Sequence, residues 1–304
     1  MSKEGGGGAT GSRLTGAAGA PPDNLKGIFA MLVGMAFWVT NHALVKLASA
    51  ELPTGEIIAV RGAVSLALIS IVAVATGTMR PATLRFSIPL ALRTIAEIGA
   101  VVFILWALFR MPLANLTAIL QTVPLVAIAA SALFLGERVG PSRWIATIVG
   151  LAGVLLIIRP GTAAYDSSAL IALAAVSFVA LRDVSTKLID RAVPTAMITI
   201  LVALAVTLTG LAFLPFETWL WPSGKTWVYL VAAGAFVVAA YYLMVVAVRL
   251  GDVSAVSPFR YANVIWALLI GLVVWNEFPD ALALVGTAIV MGAGLFATWQ
   301  ESRR

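Results

Sequence analysis

Trp38, His42 and Lys46 recur at i, i+4 and i+8 in the first long apolar run, with Asn41 adjoining. One helical face therefore carries an indole, an amide, an imidazole and an ammonium. Such groups hydrogen-bond a polar solute and pack against its apolar part. A charge at membrane depth costs about 2.5–3.5 kcal/mol on insertion scales, so this face is expected to look into a cavity or at another helix. His42 is the single histidine and cysteine is absent, so neither a metal centre nor a thiol nucleophile is expected. No nucleophile, base and orienting group form a recognisable set, so neither an enzyme nor a cofactor is expected.

The phrase holding this face occurs twice. FWVTNHALVKLASAELPT (37–54) and FVALRDVSTKLIDRAVPT (178–195) share Phe37/Phe178, Lys46/Lys187, Leu47/Leu188, Pro53/Pro194 and Thr54/Thr195 at one offset, 178 − 37 = 141. LFLGERV around Glu137 and LVVWNEF around Glu277 align at 277 − 137 = 140. The repeat thus spans nearly half the chain. Asn41 and His42 map onto Arg182 and Asp183, polar at the same two positions. Positions on which the copies agree are expected to serve the fold, and those on which they diverge, the substrate.

Other polar residues fall in apolar runs. Glu97 follows Arg93 by four, the spacing of a local ion pair. Glu97 and Asp183 are the two deep carboxylates and so the candidates for a coupling charge. Arg61 has no charged neighbour toward the middle of its run; it offers a planar fork for a carboxylate, and pairing with Glu56 or Glu97 is expected instead. Thr117, Gln121 and Pro124 share a stripe whose counterparts at offset 140 are Ser257, Tyr261 and Val264, accompanied by Pro258, Arg260, Asn263 and Trp266. Proline frees a carbonyl and permits kinks at matching places in both halves. Tyr241, Tyr242, Trp106 and Trp266 fit ordinary packing or an interfacial aromatic belt. The candidate substrate-binding set is Trp38, Asn41, His42, Gln121, Arg182, Asp183, Tyr261 and Asn263. Lys46, Arg61, Glu97 and Arg260 are candidate coupling or structural charges.

The elements that must carry these groups follow from composition. The chain is 61% hydrophobic and 11% charged, with mean hydropathy +1.01, whereas a soluble domain carries roughly 25% charge. Its surface must meet lipid. The apolar runs far exceed the roughly ten-residue alternation of a membrane barrel, so the expected class is an all-α membrane protein. At about 20 residues per crossing, ten transmembrane helices are read over 26–48, 54–76, 88–109, 112–135, 141–159, 168–190, 194–214, 224–249, 252–275 and 279–299.

The net charge of +6 reflects scattered Lys and Arg, with no basic face for nucleic acid. They set topology. With the N-terminus inside, Lys3, Arg13, Lys26, Arg80, Arg85, Arg93, Arg138, Arg143, Lys187, Arg191, Arg249, Arg303 and Arg304 fall on the cytoplasmic side, against Lys46, Arg110, Arg159 and Lys225 outside. Both termini are expected in the cytoplasm. Five crossings per copy, an odd number, make the copies inverted repeats around a central cavity, the arrangement of an alternating-access carrier. The expected organisation is a disordered cytoplasmic tail over 1–25, a first repeat over 26–160, a second over 161–299 and a short tail over 300–304. The partners expected are a small molecule and the bilayer, for a protein working as a monomer.

The stretch from Ala114 to Ile158, with Leu120, Pro124, Leu-Gly-Glu-Arg at 135–138, Gly150 and Gly153, resembles the EamA domain of the drug/metabolite transporter superfamily. The second copy has Asn276 for Gly136 and Val264 for Pro124; the resemblance covers 26–299, and its Gly-Glu-Arg box marks a turn rather than a binding group. The opening GMAFWVTNHALVKLASAELPTGEIIAVRG looks most like the aromatic amino acid exporter branch, found in bacterial inner membranes. That resemblance implies amino acid export, of aromatic or other mainly apolar members, from a cavity between the halves. Efflux of cationic drugs or other small metabolites is the alternative, and an arginine near each of Glu97 and Asp183 weighs against a lone cation site.

Overall fold

The computed structural model describes residues 23–78, 87–134, 139–159, 168–190 and 193–301. Its helices are α1 (Asn24–Ala48), α2 (Thr54–Ala75), α3 (Ile88–Leu108), α4 (Leu113–Leu120), α5 (Val123–Phe134), α6 (Pro141–Ile158), α7 (Ser168–Lys187), α8 (Thr195–Ala212), α9 (Gly224–Leu250), α10 (Val253–Val256), α11 (Ala262–Trp275) and α12 (Ala281–Glu301), with a 3-10 turn over Ser257–Tyr261. Among the described residues nine spans are long and apolar enough to cross a membrane, and Ala281–Ala297 is a shorter apolar helix in the place of the tenth. The chain is an all-helical membrane protein. α1 begins two residues before the expected span, where Asp23 accepts a hydrogen bond from the Lys26 amide at 3.1 Å, and α12 runs to Glu301. Residues 1–22 and 302–304 of the expected tails, and the box at 135–138, lie outside the described residues.

Two crossings are broken, at equivalent places. Pro124 has no N–H to donate to the carbonyl of Leu120, and α4 stops at that residue. In the second half the 3-10 turn holding Pro258 ends at Tyr261, and 261 − 121 = 140 makes Tyr261 the counterpart of Gln121. The short helix α4 is the most enclosed part of the bundle, with Leu113, Leu116 and Ile119 fully buried.

The helix pairs that pack most extensively are α1 with α9, α3 with α7, α6 with α12 and α2 with α8. Each joins the two halves. Exchanging first-copy and second-copy crossings turns the α1–α9 pair into the α7–α3 pair and maps α2–α8 and α6–α12 onto themselves, the relation inverted repeats require. Repeated residues now acquire reasons. Phe37 meets Phe236 of α9 edge-on at 4.9 Å, and Phe178 stacks on Phe103 of α3 at 5.3 Å. Pro53 and Pro194 immediately precede α2 and α8. Outside these seams, Leu, Ile and Val side chains point outward in the composition expected of a lipid-facing belt, Val273 being 82% exposed.

Close approach at the α6–α12 seam depends on two glycines. A Cβ on Gly153 would lie 2.9 Å from the carbonyl oxygen of Gly286, and one on Gly286 would lie 2.6 Å from that of Gly153. Backbone atoms cannot step aside as a side chain can. Gly153→Val is therefore expected to lower stability by about 1–3 kcal/mol through overpacking. Fluorescence-detected melting in detergent checks it, and an unchanged midpoint would show that the seam is looser than described.

One end of the bundle is tied across the halves by polar groups. Glu51 accepts from the Ser223 amide at 2.6 Å, from the Ser223 hydroxyl at 2.8 Å and from the Thr226 hydroxyl. The Thr226 and Ser223 donors hold the Glu51 carboxyl below its ordinary pKa. This tie therefore stabilises the fold above the ordinary glutamate range and is lost as pH falls through the lowered value. Buried Glu56 accepts from the Leu220 amide at 3.0 Å, Glu217 from the Gly55 amide at 2.8 Å, and Arg159 pairs with Asp280.

Candidate functional site

Lys46 belongs to that tied end. Its Nζ donates to both carboxylate oxygens of Glu277 at 3.2 Å and to the Met111 carbonyl at 3.1 Å, and lies 4.8 Å from the centre of the Trp275 ring. The turn before Glu277 explains the aim of its side chain. Asn276 closes α11 in the left-handed conformation, φ 54°, which Asn and Gly tolerate best. The Asn276 amide then reaches back to the Leu272 carbonyl at 3.0 Å, the αL form of helix stop, and the Glu277 amide to the Gly271 carbonyl at 3.0 Å, which sets the carboxylate beside Lys46.

Further along α1 from the tied end, α1, α2 and α9 bring one polar and aromatic group together, with Asn41 and His42 buried and Tyr241 45% exposed. Asn41, 1% exposed, accepts from Arg61 Nη1 at 3.1 Å. His42 Nδ1 faces the Trp38 carbonyl at 3.0 Å. A carbonyl only accepts, so Nδ1 carries the proton, and in the neutral ring Nε2 then presents a lone pair. The Trp38 ring meets those of His42 and Tyr241 edge-on at 5.2 and 5.4 Å. Arg61 and Tyr241 lie in electrostatic reach of each other, and Arg61 in reach of His42.

Contrary to expectation, Arg61 pairs with neither Glu56 nor Glu97. Glu56 is committed to the Leu220 amide near the tied end, and Glu97 is claimed from the other side. Arg93 Nη1 reaches Glu97 at 3.4 Å, the expected i, i+4 pair, and Arg182 Nη1 reaches it at 3.6 Å from α7. Arg182 also holds Asp183 at 2.9 Å. Asp183 is not a deep group, for its side chain is 45% exposed against 13% for Glu97. The set Arg61, Arg93, Arg182, Glu97 and Asp183 carries 3 − 2 = +1 formal charge.

The remaining candidates lie apart from this set. Asn263 donates to Gln121 across the α11–α4 crossing at 3.5 Å, leaving Gln121 Nε2 and Asn263 Oδ1 buried without a hydrogen-bond partner. Tyr261 is buried against Gly294 of α12, and Arg260 is exposed. A separate cavity of about 190 Å³ is bounded by Met111, Asn115, Ile119 and Ile157, and no candidate side chain lines it.

Tyr241 is the residue that reading the sequence missed. It stands in reach of Arg61, Arg93, Glu97 and Arg182 and so bridges the α1–α2 group and the α3–α7 group. The available signal was Gly234, seven residues earlier on the same face of α9, which lies against Val64 and the Arg61 carbonyl of α2.

Among the described residues, nine membrane-length apolar helices and a shorter tenth in two halves, packed as a pseudo-two-fold pair around a set of charges, define a membrane transporter of the inverted-repeat class. The model of the EamA-like transporter family matches residues 25–159 and 166–299, and the chain belongs to that family. It is similar to a riboflavin transporter of Vibrio cholerae, 30% identical over 287 residues covering 92% of this chain and 95% of that one. It is also similar to a pseudopaline exporter of Pseudomonas aeruginosa, 27% identical over 88% of this chain and 93% of that one. A third relative, an S-adenosylmethionine uptake transporter of Rickettsia felis, is 28% identical over 63% of this chain and 65% of its own length. One solved crystal structure superposes with a TM-score of 0.65 at 25% identity, over 92% of this chain and 98% of that one. These relatives move metabolites; none is named for amino acids.

Proposed function

We propose that this carrier exports amino acids, aromatic or otherwise mainly apolar, across a bacterial inner membrane by alternating access, with both termini in the cytoplasm. The observation that carries the reading is the meeting of Trp38, His42 and Tyr241 rings with Asn41 and a charge set of net +1. Rings receive an apolar body, and the cationic excess favours a substrate that brings a carboxylate. The same excess disfavours cationic drugs, because Glu97 is already held between Arg93 and Arg182. A second reading, a planar metabolite such as riboflavin, is favoured by the nearly full-length likeness to the Vibrio cholerae protein.

Counterflow in proteoliposomes tests the reading. Unlabelled amino acid inside is expected to accelerate uptake of the labelled one, as in a carrier and not in an open pore. Acceleration by riboflavin alone moves the assignment to the second reading. Asn41→Ala and His42→Ala are each expected to slow transport about five- to tenfold, one lost hydrogen bond, with folded yield unchanged. Full activity in both would remove this face from the substrate path.

A further inference from the structure

Arg61 is the anomaly of the interior. Every other charged group of the central set has an opposite charge within 4 Å: Arg93 and Arg182 hold Glu97, and Arg182 holds Asp183. Arg61, seven residues into α2, has only the neutral Asn41 oxygen within hydrogen-bond distance, with Glu97 acting from beyond 4 Å, and its Nε is buried without a hydrogen-bond partner, as is Asn41 Nδ2. Buried charges are ordinarily paired, because an uncompensated ion in a low-dielectric interior loses its hydration and gains nothing for it. Such a group is tolerated where something else supplies the counter-charge.

We propose that Arg61, oriented by Asn41, is the receptor for a substrate carboxylate, so that the transported compounds are carboxylates with an apolar or aromatic body. This rests on the central group being the transport site, and narrows its substrate class by charge. The planar fork of Arg61 matches the two oxygens of a carboxylate, and Asn41 Nδ2 is a further donor beside it. The Trp38, His42 and Tyr241 rings lie next to the fork, where the body of the same molecule would rest. Asn41 is then a positioning residue, its oxygen fixing one guanidinium nitrogen.

The class is read by matched compounds in which one group at a time is missing. Thermal stabilisation and binding by the full-length protein are measured with L-phenylalanine, with phenethylamine, which lacks the carboxylate, and with 3-phenylpropionate, which lacks the amine. The aliphatic set L-leucine, isopentylamine and 4-methylpentanoate serves as a second series. Acids are expected to bind and amines not. Arg61→Gln is expected to weaken acid binding about 10- to 100-fold, the worth of a charge-assisted bidentate contact, and Arg61→Lys to recover part of it.

The ligand-free variant supplies an independent readout. Because Arg61 has no ion pair within 4 Å to abandon and Glu97 acts on it only from longer range, Arg61→Gln should melt at or above the wild-type temperature, whereas a merely structural arginine would lower it. Equal binding of acids and amines, or undiminished acid binding by Arg61→Gln, overturns the role of Arg61 and leaves the amino acid reading standing. Binding of 3-phenylpropionate but not phenylalanine overturns the amino acid reading and keeps Arg61. Binding of no acid in either series overturns both.

Discussion

Glu277→Gln is expected to lower the melting temperature of the purified carrier by roughly 4–8 °C, equivalent to about 2 kcal/mol. The figure is discounted from the roughly 3–5 kcal/mol of a fully buried pair, because the Glu277 side chain keeps 31% exposure against 12% for Lys46. Lys46 makes its ionic contact with one residue, and glutamine leaves its ammonium against the Met111 carbonyl and the Trp275 ring, neither of which carries a full charge. Lys46→Met in the same background should recover much of the loss by removing the stranded cation. A double-mutant cycle on melting temperatures measures the coupling. A coupling near zero would mean that the pair is a solvated contact and that the tied end depends on Glu51, Glu56, Glu217 and Asp280.

Transport should respond differently from stability. Lys46 lies on α1 of the first half and Glu277 behind α11 of the second, so if the carrier works by the proposed alternating access, opening at this end must part them. Releasing the pair lowers the barrier to opening here and shifts the carrier toward that state. Exchange, which needs opening at both ends, should slow while ligand access from the tied end increases. A charge-reversed pair, Lys46→Glu with Glu277→Lys, restores attraction but loses the cation over Trp275, and is expected to give an intermediate result.

How far the sequence reaches is clear from these residues. The offset of 140–141 already contained the duplication and the odd count of crossings per copy the inversion, and the packing of α1 on α9 and α7 on α3 is its three-dimensional form. Helical spacing placed Arg93 with Glu97 correctly, since four residues define one face of one helix. It could not place Arg61, whose neighbours come from other helices: both carboxylates in sequence-based reach were taken, by the Leu220 amide and by Arg182. Tyr241 escaped for the same reason, its environment being assembled from α1, α2, α3 and α7. Periodicity states which way a side chain faces along its own helix; it does not state what stands opposite.

Glu97 shows where such opposition has the largest consequence. Its carboxylate lies between Arg93 of its own helix and Arg182 of α7, at a seam joining the two halves. Glu97→Gln removes the only described carboxylate that faces Arg93, and raises the formal charge of the central set from +1 to +2. With Glu97, Arg93 and Arg182 side chains 13%, 17% and 20% exposed, the loss is expected near the buried-pair value of about 3–5 kcal/mol. Folded yield should fall sharply, and Arg93→Gln added to Glu97→Gln should restore part of it by returning the charge to +1. A wild-type melting temperature for Glu97→Gln would show that the two arginines are compensated by solvent. The rescued double variant also separates a structural charge from a coupling one. If Glu97 carries the driving proton, the rescued protein exchanges substrate across the membrane but no longer accumulates it against a gradient. If it only neutralises Arg93 and Arg182, both activities return together.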